Sequence, residues 1–122
     1  MIDPVLDFLY SLHNRGIKLG LKNIESFLAI CDNPHQKIQT IHLAGTNGKG
    51  STSSIISKIL QEKGYKVGLY TSPHLIRFNE RIRIDGKPIS DVAIIKFIEK
   101  HKQTLIDSSI TFFEAKTALA FN

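Results

Sequence analysis

An α/β fold, with a parallel sheet flanked by helices, is the class this sequence predicts. Three observations predict it. Gln39–Ala44 and Lys66–Thr71 (K-V-G-L-Y-T) are apolar, β-type runs whose near-continuous hydrophobicity suits buried parallel strands. A helical pattern from Ser53 to Lys63 separates them, which is the order and length of a right-handed βαβ crossover. Between the first strand and that helix lies a glycine-rich turn, G-T-N-G-K-G-S at 45–51.

The elements follow in order. Asp3-Pro4 starts a first helix with an N-cap acceptor and proline at the first helical position. Leu6, Leu9, Tyr10 and His13 continue one face, and Gly16 closes it. Ile17–Lys22 reads as a loop. Asn23 is expected to cap a second helix with Ile24, Phe27, Leu28 and Cys31 inward, ended by Asp32-Asn33-Pro34. In the crossover helix Ile55, Ile56, Ile59 and Leu60 are expected to face inward, with Gly64 as terminator. Asp85-Gly86 predicts a tight turn between short extended pieces. Ser90 caps a helix from Asp91 to about Leu105, burying Val92, Ile95, Phe97 or Ile98, and Leu105. A polar turn at 107–109 precedes a last helix from about Phe112.

That last pattern runs to Asn122 without a glycine cap, and two parallel strands leave both sheet edges unpaired. The chain is therefore expected to be one domain's front part within a larger enzyme. A complete small protein is the alternative.

The 122 residues carry a formal net charge of +5, 42% hydrophobic and 22% charged residues. This suits a globular chain with its own core. No window approaches the ~18–20 apolar residues of a membrane helix, and the acidic, amphipathic N-terminus is unlike a signal peptide. A single cysteine, Cys31, excludes an intrachain disulfide and thiolate metal clusters; it reads as a small hydrophobe at a helix end. A cytoplasmic location is expected. The basic residues are dispersed, without the aromatic interleaving of a nucleic-acid groove. Neither nucleic acid nor membrane is an expected partner, and a polyanionic small molecule is.

The chemistry concentrates at Thr40–Ser54, T-I-H-L-A-G-T-N-G-K-G-S-T-S-S. Glycines let successive N–H groups converge, a helix N-terminus adds partial positive charge, and a lysine adds a full one. ATP is the expected ligand. The stretch departs from the ordinary G-x-x-x-x-G-K-[ST] pattern, because Gly50 stands where the hydroxyl should be and Ser51 comes one place late. A plain strand–helix loop with an incidental lysine is the other reading of the spacing alone. His42, inside the expected strand, reads as structural.

The full string narrows this. G-T-N-G-K-G-S, then T-S-P-H-L with F-N-E-R-I at 71–82, then F-E-x-x-T-A at 113–118, resembles the folylpolyglutamate synthase/dihydrofolate synthase family. That family belongs to the wider Mur-ligase-like group. The resemblance runs from the first helix to Asn122 and corresponds to the N-terminal part of a much longer family member. It implies a P-loop NTPase-like parallel sheet, the incomplete N-terminal part of a Mur-ligase-type ATP-binding domain, without the C-terminal domain.

It also implies a reaction. ATP converts a carboxylate of folate or dihydropteroate to an acyl phosphate, and the amine of L-glutamate displaces phosphate to form an amide. Lys49 is the candidate for neutralising the β/γ charge. Gly45, Gly48 and Gly50 shape the anion nest, Thr46 and Asn47 line it, and Ser51 and Thr52 meet phosphate oxygens. Ser72 matches the family's Mg²⁺-ligating hydroxyl; the bland reading is a turn residue before Pro73. The family's acidic Mg²⁺ ligands and a modified lysine holding a second metal lie further along.

His74, Phe78 and Arg81 fall in the loop beside the folate cleft, where solvated arginines and a loop-anchoring Phe78 are the competing readings. Glu114 has two readings, a site residue or the return partner of a T-x-x-E capping box with Thr111. Ala115 stands where many members have an aromatic residue. Rival functions are a Mur-type peptidoglycan precursor ligase, against which the T-S-P-H-L…F-N-E-R-I string argues, and a non-catalytic nucleotide-binding module. The full-length ligase is expected to be a monomer, and the 122 residues alone to be inactive as a ligase.

Overall fold

Helices dominate the computed structural model, which describes residues 2–16 and 20–122. Residues 17–19 of the expected Ile17–Lys22 loop lie outside the described residues, and Lys22 already belongs to the second helix. The chain forms two compact units, residues 1–39 with 91–122, and residues 40–90.

The first unit is helical. Helix α1 spans Ile2–Ser11 and tightens into a 3₁₀ turn at Leu12–Arg15. Gly16 ends it at φ 72°, its N–H donating to the His13 carbonyl at 2.9 Å. Helix α2 spans Lys22–Ile30. The Leu21 carbonyl accepts the first bond, from Glu25 N–H at 2.9 Å, so Asn23 sits inside the first turn rather than capping it. Asp32 and Asn33 take positive φ after the helix, as the residue types that tolerate it, and Pro34 opens a short 3₁₀ turn. Cys31 occupies the helix end as expected.

Helix α4 is Asp91–Asp107 and helix α5 is Phe112–Phe121. In α4 the buried row is Ile94, Phe97, Ile98, His101 and Leu105, while Val92 is exposed, one step off the expected face. α1 packs on α4, and α2 on α5. Leu9, Phe27, Ile98 and Leu105 are fully buried, each contributing roughly 1.5–3 kcal/mol.

Two polar devices tie this core. The Arg15 guanidinium donates to the carbonyls of Leu105 (2.7 Å), Ile106 (3.2 Å) and Ile110 (2.8 Å). It thereby caps the α4 C-terminus, whose last carbonyls lack intrahelical partners, and joins it to the approach to α5. His101 lies against Phe27 and Phe97 with Cys31 Sγ 3.7 Å from its Nε2. Burial raises the Cys31 thiol above its ordinary pKa, so it stays a protonated, hydrophobic filler.

The second unit corrects the expected sheet. Residues 39–45 form no strand, and Ile41 is 63% exposed. His42 is exposed too. The sheet is antiparallel: β1 (Gly68–Tyr70) pairs with β2 (Ile82–Ile84), which pairs with β3 (Lys87–Pro88). A parallel pair standing alone exposes both edges and is weaker per residue, whereas β2 and β3 close through two residues. Asp85 (φ 51°) and Gly86 (φ 83°) supply the two positive φ angles of that hairpin turn. Asp85 also receives the Val67 N–H on Oδ1 at 2.8 Å and donates its own N–H to the Val67 carbonyl at 2.8 Å.

Helix α3 spans Lys49–Glu62, starting four residues before the expected Ser53. It ends as predicted at Gly64 (φ 92°), with Gly64 N–H on the Gln61 carbonyl and Tyr65 N–H on the Leu60 carbonyl. Ile55 and Ile59, expected inward, are exposed, and Ser57 is the buried residue of the helix. With no strand at 39–45, that apolar face of α3 has no sheet to cover it.

Two measurements check the first unit. Arg15→Ala should lower unfolding free energy by about 2–3 kcal/mol in denaturant titration, and Arg15→Lys should recover less than half, because an ammonium cannot span three carbonyls. Burial, and next the Lys100 charge, push the His101 pKa below its ordinary 6.5. The folded chain then binds fewer protons than the unfolded chain between the two values. Its contribution is complete above about pH 6.5 and is lost as pH falls through the lowered value. Melting temperatures should drop across that window, and His101→Leu should remove the slope.

Candidate functional site

The glycine turn is built by backbone conformation. Gly48 is left-handed at φ 76° and stands as N-cap of α3 with no side-chain cap bond. The first helical bond runs from Thr52 N–H to the Gly48 carbonyl at 2.9 Å. The N–H groups of Lys49, Gly50 and Ser51 therefore precede any intrahelical acceptor and point out of the helix start. The helix dipole places partial positive charge at the same spot.

Gly45 is also at positive φ, and a Cβ at Gly45, Gly48 or Gly50 would meet nothing within 4 Å. The turn is open on all three. Lys49 is exposed and makes no ion pair among the described residues. Thr46, Asn47, Ser51 and Thr52 are exposed alongside it. Ser53 is different: its hydroxyl donates to the Gly50 carbonyl at 2.9 Å.

The loop after β1 is held from within. Ser72 is exposed at the carboxyl end of β1. The Glu80 carboxylate oxygen Oε1 accepts three consecutive backbone N–H groups, from Leu75 (2.9 Å), Ile76 (2.7 Å) and Arg77 (2.9 Å). Those of Ile76 and Arg77 are the main cause holding its carboxyl below the usual range. Arg81 Nε donates to His74 Nδ1 at 2.7 Å, which leaves Nε2 as the ring N–H. Arg81 also lies over the Phe78 ring, 5.8 Å from its centroid. His74, Phe78 and Arg81 are thus brought into one cluster. Phe78 is buried, so it anchors the loop.

A cleft of about 500 Å³ in this unit includes Ser54, Ser57 and Lys58 of α3 with Thr71, His74 and Arg83. Its carboxylates, Glu80 and Asp85, are already engaged by backbone N–H groups.

Glu114 belongs to the other unit. It is 6% exposed and forms a capping box: Thr111 Oγ1 accepts Glu114 N–H at 3.2 Å, and Glu114 Oε1 accepts Thr111 N–H at 3.1 Å. Among the described residues, no three His, Cys, Asp or Glu side chains gather in a metal-holding group. No described helix is long and apolar enough to cross a membrane.

No family model matches the chain. The dihydrofolate synthase/folylpolyglutamate synthase of Bacillus subtilis is 44% identical over 119 residues, covering 90% of this chain. The chain belongs to the folylpolyglutamate synthase/dihydrofolate synthase family. It spans 28% of the length of that Bacillus relative. The crystal structure of a folylpolyglutamate synthase from Thermotoga maritima matches 97% of this chain and 29% of its own, with a TM-score of 0.84 and 42% identity. A bifunctional folylpolyglutamate synthase/dihydrofolate synthase with Mn, AMPPNP and L-glutamate bound matches 96% of this chain and 29% of its own, with a TM-score of 0.84 and 32% identity.

Two of the family strings fall on the start of α3 and the loop at 72–83, and the third, at 113–118, falls on α5. Glu80 is the residue that reading by motif leaves unexplained. Its signal was its place in F-N-E-R, three residues after Arg77, the spacing at which a carboxylate returns to the backbone of a turn.

Gly48→Ala isolates the backbone constraint, because the added methyl group touches nothing. It should cost about 1–2 kcal/mol in urea unfolding, and Gly48→Asn should cost less. Equal stability for Gly48→Ala would mean that the turn relaxes out of the left-handed region.

Proposed function

We propose that this chain is the ATP-holding part of a ligase that joins L-glutamate to folate or dihydropteroate through an acyl phosphate. The observation that carries the reading is the start of α3: three uncapped N–H groups, open glycines and an exposed lysine, on a chain of this family. A carboxylate and a γ-phosphate repel each other, so the first step needs cations and oriented donors around the phosphates. In this reading the N–H groups of the 45–51 turn take the β- and γ-oxygens, and Lys49 neutralises their charge. Thr46, Asn47, Ser51 and Thr52 complete the polar rim.

Ser72 offers one hydroxyl oxygen for Mg²⁺. This fits a metal held mainly by phosphate and water oxygens, the usual arrangement for this ion beside a nucleotide. When bound, Mg²⁺ supplies further charge neutralisation at the phosphates. His74 and Arg81 form the side toward the acid substrate, with Phe78 buried behind them as the loop's anchor and Arg81 offering charge to the substrate carboxylate. Glu114 acts through the start of α5, which it caps. The carboxylate oxygen of the substrate attacks the γ-phosphorus, and the bond to the β-phosphate oxygen breaks to release ADP. The glutamate amine then attacks the acyl carbon, and phosphate leaves with formation of the amide.

Nucleotide titration of the chain tests the site. AMPPNP with Mg²⁺ should bind, and Lys49→Ala should weaken it by about tenfold or more, the loss of a charge-assisted phosphate contact. Unchanged affinity in Lys49→Ala would remove the lysine from the site. In a protein carrying the relatives' full length, the same substitution should abolish folate- and glutamate-dependent ADP release.

A further inference from the structure

We propose that Glu80 is the positioning residue of the 72–83 loop, the group that sets the geometry of the His74–Arg81 pair for an acid carrying an aromatic ring system. The inference rests on the assignment of that loop to the acid substrate and names what holds it in shape.

Three consecutive N–H groups converging on one point form an anion nest, and such a backbone needs a negative charge at its centre. Here the charge is internal. Glu80 Oε1 receives the N–H groups of Leu75, Ile76 and Arg77. The residue that carries it sits on a firm base, the 3₁₀ turn Phe78–Arg81. Phe78 and Asn79 are buried there, and Asn79 Nδ2 donates to the Ile89 carbonyl at 2.8 Å. Thr71 N–H donates to the Arg81 carbonyl at 2.8 Å, so the turn is also tied to the end of β1.

Glu80 passes this rigidity to residues 75–77. Because the backbone N–H groups turn inward, the side chains of Leu75 and Ile76 stand out, 91% and 84% exposed. His74, immediately before them, is held by Arg81 Nε from the same turn. The loop therefore presents an apolar tip beside an imidazole and a guanidinium, a combination suited to a flat aromatic body with a carboxylate. Replacing the Glu80 carboxylate leaves three convergent donors without a strong acceptor, and the loop must open.

The test uses the 122-residue chain, Glu80→Gln and Glu80→Asp, with folic acid and AMPPNP as probes and far-UV circular dichroism as the folding control. In Glu80→Gln the amides of residues 75–77 should exchange with solvent at least about tenfold faster. Folic acid affinity should fall about tenfold, with nucleotide affinity unchanged. Glu80→Asp, keeping the charge on a shorter arm, should recover part of both. Equal folic acid affinity in wild type and Glu80→Gln would overturn the proposal alone. So would a parallel fall in nucleotide affinity, which marks a general loss of structure. Wild-type chain that binds AMPPNP but not folic acid would overturn the substrate assignment of the loop, and the proposal with it.

Discussion

The left-handed Gly48 sets how α3 begins. By turning the chain at φ 76° immediately before α3, it starts the helix abruptly and with no side chain folded back over its first N–H groups. Ordinary helices spend a Ser, Thr, Asp or Asn on those donors, which stabilises the helix by typically ~1 kcal/mol. Here four hydroxyl residues follow the turn, yet none caps the helix, and Ser53 is turned to the Gly50 carbonyl instead. The omission leaves donors, dipole and Lys49 concentrated at one end of a rigid 14-residue rod. Such an end stabilises an anion better than a capped one would.

Elsewhere the chain follows the opposite practice, spending charged and polar groups on its own backbone. Glu80 collects the N–H groups of residues 75–77, Asp85 closes on Val67, Thr111 and Glu114 cap α5, and Arg15 gathers three carbonyls. Each bond is between an ionised or hydroxyl group and a main-chain partner, the class of hydrogen bond that contributes most when partly shielded from water. The contrast is informative. Loops that lack sheet or helix ladders are fixed by these side chains, whereas no side chain caps the start of α3.

Much of this was legible in the sequence because it is local. Asp85-Gly86 announces a two-residue hairpin turn, Thr111-x-x-Glu114 announces a capping box, and Gly64 announces the end of α3; each depends on residues within a few positions. The glycine turn and the loop strings were legible for the same reason. What was not legible depends on which segments pair. The runs at 39–44 and 66–71 have equal claims to be strands, and periodicity says nothing about a partner. β1 found β2 in antiparallel register, and the first run found no ladder partner. The orientation of α3 followed: with no strand at 39–45, Ile55 and Ile59 stay exposed and Ser57 is buried. The resemblance put His74, Phe78 and Arg81 in one loop, while their mutual contacts, and the Glu80 carboxylate on the N–H groups of residues 75–77, depend on how the loop folds.

We propose that the uncapped start of α3 is held open for phosphate. Amide chemical shifts during titration with AMPPNP and Mg²⁺ address it at the atoms concerned. The account predicts that the largest shifts fall on the backbone N–H groups of residues 45–52, with those of Lys49, Gly50 and Ser51 moving downfield as they gain an acceptor. Nucleotide binding that leaves these amides unmoved and perturbs another surface would contradict it.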